Sequence, residues 1–370
     1  MRRVPSAARF LCLALLFAGL TGCAGVSGGE LPDGAGTGYH RYSTGFTDLF
    51  DTVTLIIGYA GSQDEFDRYA AVIYERMGAL HRLFDIYHEY GGLNNLRTVN
   101  DNAGIAPVAV DGELIDLLLL AREGYELSGG AVNPALGPVL RIWHGYRQEG
   151  IADEENAALP PMDELRKAAK YTDMDDVVID KTTGTVFLKK AGMSLDVGAV
   201  AKAYAAGLAA QAAVEAGMRS VLISAGGNIV SLGKPLDGSR DRWSIGIQDP
   251  DTAADGFQNT VDTVFIAGTA ISCSGGYQRF YTVDGQAYHH IIDPDTLMPA
   301  VRYKQVTVIH QNPGLADILS TALFILPVEE GLALAEKCGA DALWIDSEGL
   351  WRATDGYIEI SQTLSGASAF

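Results

Sequence analysis

The stretch "NPGLADILSTALFIL" sets Asp317 and Thr321 four residues apart, on one face if the segment is helical. Ile318, Leu319, Ala322, Leu323, Ile325 and Leu326 surround them, so a carboxylate and a hydroxyl would face inward from a mostly buried helix. Such oxygens are hard ligands, suited to Mg²⁺ bridging phosphates. The same residues have a plain structural explanation. An acid in a first turn relieves the helix dipole, and threonine can bond back to the i−4 carbonyl. Spacing leaves the two readings level.

Four other segments raise similar questions. "AYHHIIDPDTLMP" carries His289 and His290 ahead of Asp293-Pro294. Proline holds Asp293 extended, and strand neighbours point to opposite faces, so at most one histidine serves a given site. A histidine with a pKa of about 6.5 suits proton transfer; a hairpin end collecting polar residues is the alternative, and the stretch alone does not decide. In "SLDVGAVAKAYAAG" a strand is expected to end at 194–196, Gly198 to turn, and a helix to run over 199–216. Lys202 then falls in or near the first turn, where the dipole disfavours a cation. A bound phosphate would offset this, although from spacing alone a solvated surface lysine is the better reading. "SAGGNI" offers Gly226 and Gly227, whose missing side chains would let a ligand approach the backbone; Gly-Gly is first of all a hairpin pair. "AISCSGGYQRFY", with Ser272, Ser274, Gly275, Tyr277 and Arg279, is either a polar ligand rim or a strand with a glycine bulge.

These segments need elements to hold them. "DTVTLIIGYA" reads as a β-branched strand, and Phe66, Tyr69, Ile73, Met77, Leu80 and Phe84 recur at helical spacing. A second helix follows Asp111 as its cap and stops at Gly129-Gly130. "VNPALGPVLRIWHGYR" is punctuated by two prolines and leads into the polar stretch 148–156. Then come a helix over 161–170, a hairpin around Thr183-Gly184, and alternating strands and helices to a closing hairpin. There is no repeat and no regular βαβ rhythm, which predicts an α+β fold with mixed, largely antiparallel sheets and packed helices.

Arg2, Arg3 and Arg9 precede an apolar run at 10–20, too short to span a membrane and ordered like a signal peptide over 1–22. It ends in "LTGC", similar to a bacterial lipobox, with Cys23 as the lipidated residue. Residues 23–40 read as a flexible tether and 41–370 as one catalytic domain. Losing the leader makes the chain three charges more acidic than the −19 of the whole, a poor match for nucleic acid or bare anionic lipid. A polyanionic substrate would need a metal or a few placed cations. Beyond Cys12 and Cys23 only Cys273 and Cys338 remain; sequence does not set their distance.

Taken in order, "SLDVGAVAKAYAAG", "SAGGNI", "AISCSGGYQRFY", "HIIDPDT" and "ADILSTALF" resemble the ApbE-type family, the FAD:protein FMN transferases. "FDTVT", "FDIY" and "NPALGPVLRIW" resemble its more variable segments, and the likeness spans residues 46–339. It implies an ApbE-like (T-fold-like) architecture. It also implies an exported, Mg²⁺-dependent enzyme that splits FAD at its pyrophosphate, attaches FMN by a phosphoester to Thr or Ser of an acceptor protein, and releases AMP. By motif position, Asp317, Thr321 and the Ala199 carbonyl would ligate the metal. Asp196, Lys202, Asn133, Pro134, Ala135, Gly226, Gly227, Ser274 and Ile291 would contact FAD, with Phe50 and Tyr87 matching flavin-pocket positions loosely. His290, of the "HxxDP" pattern, would be catalytic and His289 a bystander. The acceptor would carry a D-x-[ST]-G-A-[ST]-like segment, as in FMN-binding subunits of Na⁺-translocating NADH:quinone reductase or Rnf-type complexes. The chain would sit, lipid-anchored, on the outer face of the cytoplasmic membrane, or on the periplasmic side where the cell has two membranes.

Four positions depart from the family pattern: Ala203 for the glycine after the lysine, Gly276 in "SGGY", Leu297 where "DPxTG" has glycine, and Asn133 before Pro134. Two other readings use the same residues: an FAD pyrophosphatase yielding FMN and AMP, and a non-catalytic FAD-binding lipoprotein.

Overall fold

The structure, a computed structural model, describes residues 38–253 and 259–370; the leader, Cys23 and most of the tether lie outside the described residues. An opening hairpin joins β1 (His40–Leu49) to β2 (Thr52–Ala60). Helices α1 (Gln63–Phe84), α2 (Leu96–Asp101) and α3 (Gly112–Leu127) follow, with β3 (Val108–Ala109) between the last two. Next come α4 (Gly137–Ala152), α5 (Met162–Ala168), β4 (Val177–Asp180) and β5 (Thr185–Leu188). The middle of the chain runs α6 (Ala201–Glu215), β6 (Val221–Ala225), β7 (Asn228–Leu232), β8 (Trp243–Gln248), α7 (Pro250–Ala253) and β9 (Thr260–Ile266). It continues through β10 (Ala270–Gly275), β11 (Phe280–Val283) and β12 (Gln286–His289). The last part is β13 (Tyr303–His310), α8 (Pro313–Ile325), α9 (Val328–Cys338), β14 (Asp341–Asp346), β15 (Trp351–Ala353), α10 (Asp355–Ile360) and α11 (Gln362–Ser365).

Eight strands form one sheet in the order β1-β2-β6-β7-β10-β13-β14-β15, with every neighbouring pair antiparallel. Side chains alternate across it. Ile56 on β2 joins Ile73 and Met77 of α1 and Ala209 of α6 on one face. Ile57 and Tyr59 join Trp243 and Ile245 of β8 and Tyr357 of α10 on the other. The α+β, antiparallel reading therefore holds.

Helix ends follow local chemistry. Ser62 caps α1 by accepting from Glu65 N–H, and Asp111 caps α3 from Glu113 N–H. Ala203, Ala205, Ala206, Ala209, Ala210 and Ala213 are buried on α6, as expected of a helix apolar on most sides and packed within the core.

Four local expectations are corrected. Residues 194–196 form no strand. Leu195 is held instead by the Asn100 side chain, which accepts from its N–H at 2.7 Å and donates to its carbonyl at 2.9 Å. Helix α6 begins at Ala201, with no side-chain cap from Val200. Helix α8 begins at Pro313, so Asp317 lies in the second turn and dipole relief in a first turn does not account for it. The proline-punctuated segment is a short 3-10 turn, Pro134–Leu136, running into α4, because proline is tolerated at the start of a helix. Tyr39 packs against the sheet and β1 begins at His40. Cys273 and Cys338 are both free.

Candidate active site

Asp317 is buried on α8 with 5% of its surface exposed. Burial pushes its carboxyl above the usual range, offset by Lys202, by a hydrogen bond from the Ala203 N–H and by Asn228. The Asn228 Nδ2 donates to Asp317 Oδ2 at 3.2 Å. One turn on, Thr321 Oγ1 lies 3.3 Å from the Asp317 carbonyl oxygen and 3.4 Å from Ser274 Oγ, which in turn is 2.9 Å from Ser320 Oγ. The back-bonding explanation of Thr321 is thus realised, yet among the described residues no cation is in contact with the buried acid. Lys202 is hydrogen-bonded to the Gly198 carbonyl at 2.9 Å.

Asn228 reaches Asp317 because of the preceding turn. Gly226 and Gly227 form the two-residue connection of the β6–β7 hairpin, at φ 58° and 89°, the left-handed pair that a tight hairpin requires. A Cβ on Gly226 would lie 2.3 Å from Thr52 Oγ1. The hairpin reading of "SAGGNI" is correct, and the hairpin delivers a site residue.

Ala199 lies two residues before the start of α6, beside Gly198. Asp196 accepts from Gly198 N–H at 2.8 Å and donates its own N–H to the Pro134 carbonyl at 2.8 Å, so the "NPA" segment and the Asp196 loop are brought together through backbone. The side chain of Asn133 is spent on the fold, accepting from Ala135 N–H and donating to the Thr172 carbonyl.

The two histidines separate cleanly. His289 uses both ring nitrogens: Nε2 donates to the Ala300 carbonyl at 2.7 Å, and Nδ1 accepts from Ile291 N–H at 3.2 Å. Its ring also meets Phe324 edge-on. A Cβ on Gly276 would lie 2.5 Å from the same ring, which accounts for one departure: this chain's Gly276 makes room for His289. His290, just past β12, has a buried Nδ1 without a hydrogen-bond partner. Burial, then Arg279, His289, Lys202 and Arg147, pushes its pKa down to about 3, so the ring is neutral at pH 7.

The loop after His290 is fixed from two sides. Leu297 adopts φ 60°, a left-handed conformation costing a non-glycine residue roughly 1–2 kcal/mol, and its side chain is buried with Leu136, Val139 and Trp143. The Trp143 indole N–H of α4 donates to the Leu297 carbonyl at 2.9 Å.

Arg279 and Arg147, whose charges act on His290, belong to a set of groups that local sequence did not assemble. His144 and Arg147 are one turn apart on α4, with Arg147 Nη2 3.1 Å from His144 Nδ1. Burial and Arg279 lower the Arg147 pKa; burial and Arg147 lower that of His144. Arg279 donates to the Asp51 carbonyl at 3.0 Å, and Phe50 and Asp51 both have left-handed backbones. The Tyr87 ring, 56% exposed, stands 5.7 Å from that of His144. The Phe50 ring is turned onto His81 instead, at 5.3 Å. Drawing α4 through residues 137–152 would have put His144 and Arg147 on one face; reading prolines as breaks hid them.

Among the described residues no three His, Cys, Asp or Glu side chains gather as a metal cluster. The available set is one buried carboxylate, the Thr321 hydroxyl and backbone carbonyls such as Ala199, all hard oxygens. That set fits Mg²⁺, which takes one or two carboxylates and completes its sphere with water and substrate phosphate.

The ApbE family model matches residues 51–344. The FAD:protein FMN transferase of Treponema pallidum (strain Nichols) is 36% identical over 283 residues, covering 73% of this chain and 75% of that protein. One from Klebsiella pneumoniae (strain 342) is 30% identical over 274 residues, covering 71% and 81%. Among solved structures, the ApbE protein of Thermotoga maritima MSB8 superposes with a TM-score of 0.75 at 28% identity, covering 86% of this chain and 98% of that one. The flavin transferase ApbE of Vibrio cholerae superposes at 0.70 and 20% identity, covering 87% and 99%, a likeness of fold.

Proposed function

We infer that this chain, which belongs to the ApbE family, is a transferase that moves FMN from FAD to a hydroxyl of an acceptor protein. The observation that carries this reading is Lys202, whose charge is felt both by buried Asp317 and by His290. A buried carboxylate and a neutral imidazole that both feel one ammonium group suit a pyrophosphate substrate, which supports this reading.

The acceptor Thr or Ser oxygen attacks the flavin-bearing phosphorus, its proton passes to His290, and the bond to the bridging oxygen breaks, with the electron pair leaving on AMP. A pKa of about 3 makes His290 a weak base in the free protein. Arg279, Lys202 and Arg147 contribute to that depression, and a bound pyrophosphate neutralises them, returning the ring toward the range where general bases work. Lys202 holds the phosphate oxygens between the two sides. Asp317, Thr321 and the Ala199 carbonyl would hold Mg²⁺, which supplies neutralisation of phosphate charge when bound. The family's glycine after the lysine is not needed here: the part of Ala203 that touches Asp317 is its backbone N–H.

Among the described residues no helix is long and apolar enough to cross a membrane. A lipid on Cys23 would anchor the chain outside the cytoplasmic membrane, facing exported acceptors with a D-x-[ST]-G-A-[ST]-like segment. The test is AMP release from FAD and Mg²⁺ by the full-length chain in detergent, with and without such an acceptor. Release that depends on the acceptor supports the transferase. Equal release without acceptor marks a pyrophosphatase, and bound, unchanged FAD marks a storage protein.

A further inference from the structure

We propose that Arg147, together with Arg279, holds the phosphate that remains on the flavin, forming a second anion subsite apart from the metal side; the assignment rests on the transferase reading. Arg147 is partly buried on α4, and its polar contact is with a histidine, His144 Nδ1 at 3.1 Å. Among the described residues no carboxylate reaches it within ion-pair distance. The charge that depresses it is a like charge, that of Arg279. Arg279 is bound to a backbone carbonyl, and its nearest acid, Asp51 Oδ2 at 3.8 Å, has a side chain 99% exposed, so water screens that pair. Tyr281, two residues past Arg279, packs in one cluster with Val139 and Trp143 of α4, which puts the two arginines on the same side of the fold. Like charges in a part-buried site are unfavourable, and in a chain of net charge −19 the pair calls for an anion. Beside them the buried His290 Nδ1 has no partner.

The order of charges tells which phosphate. Lys202 is the cation that acts on Asp317, and it also acts on His290. Arg279 and Arg147 act on His290. Asp317 is bonded by Asn228 of β7, whereas α4, which carries Arg147, is bonded to the His290 loop at Leu297, so the arginines stand with His290 rather than with Asp317. A base at His290 must stand beside the phosphorus under attack, which is the one bearing the flavin. The arginines beyond it are placed for that phosphate's oxygens, and planar guanidinium groups suit phosphate bidentately. Trp143 fixes the arrangement, since it precedes His144 on α4 and bonds the His290 loop at Leu297.

FMN, riboflavin and AMP binding to the full-length chain in detergent with EDTA tests this without turnover. FMN carries the flavin-side phosphate, riboflavin none, and AMP the other one. Wild type should bind FMN at least about tenfold tighter than riboflavin. R147Q should lose about tenfold on FMN alone, R147K should keep part of the preference, and R279Q should repeat the R147Q pattern, each with an unshifted Tm. An unchanged FMN-to-riboflavin ratio in R147Q overturns the assignment. So does weakening of AMP in place of FMN, or equal weakening of FMN and riboflavin. Transfer to acceptor is scored separately: a chain that prefers FMN through Arg147 but transfers nothing keeps this subsite and refutes the transferase reading.

Discussion

The Asp317 carboxylate on α8 accepts a hydrogen bond from the backbone N–H of Ala203 on α6, so one buried acid also caps the helix that carries Lys202. Helix α6 has no cap of its own, and the negative charge offsets a cation placed where the dipole is positive.

Asp317→Ala should therefore do two things. It removes metal-dependent turnover, and it lowers stability by about 1 kcal/mol through the lost cap. Asp317→Asn keeps an oxygen for Ala203 N–H, so it should melt near wild type while remaining inactive. Parallel melts and transfer assays check this; full activity in Asp317→Ala would remove the metal assignment.

The paired histidines should show opposite phenotypes. His290→Ala deletes a ring whose Nδ1 has no partner, so turnover collapses with little change in Tm. His289→Ala leaves the buried Ala300 carbonyl and Ile291 N–H unpaired, costing about 1–3 kcal/mol while retaining far more activity. Equal activities in the two variants would contradict the catalytic choice.

Acid should destabilise the fold through His290. Its pKa falls from about 6.5 in the unfolded chain to about 3 when folded, so the unfolded state binds the extra proton between those values. Stability is fully present above pH about 6.5 and falls as pH drops toward 3, by at most a few kcal/mol. Denaturant midpoints of wild type and His290→Asn, compared across that window, should differ in slope; parallel profiles would exclude the burial of a neutral imidazole.

Leu297→Gly supplies the residue that the family pattern has at this left-handed position. Relief of backbone strain is worth roughly 1–2 kcal/mol, whereas deleting a buried leucine costs roughly 2–5 kcal/mol. The substitution should lower Tm despite the friendlier backbone. A raised Tm would show that the side chain contributes little to its cluster with Trp143.

What could be read in advance was what repeats locally. The apolar surroundings of Asp317 and Thr321 already put a polar pair on a buried helix, and the Gly-Gly turn was legible as a hairpin. Non-local substitutions for secondary structure were not. Asn100 stands in for a strand at Leu195 from 95 residues away, and no window of sequence contains both partners. The polar, largely exposed β1 lies at the sheet edge and lacks the apolar alternation of a buried strand. Helix α4 was masked by prolines that its first turn accepts, and with it went His144 and Arg147. Hydrogen bonds, not sequence, distinguish the two histidines: the His289 ring is saturated and the His290 Nδ1 has no partner.

The most direct test of the account is a single-turnover experiment with FAD, Mg²⁺ and an acceptor protein carrying the Thr/Ser segment. AMP is quantified against FMN fixed on the acceptor, as read by intact mass. Equimolar AMP and FMN-modified acceptor are expected, both lost in His290→Ala. AMP without modified acceptor, or modification that survives in His290→Ala, would contradict it.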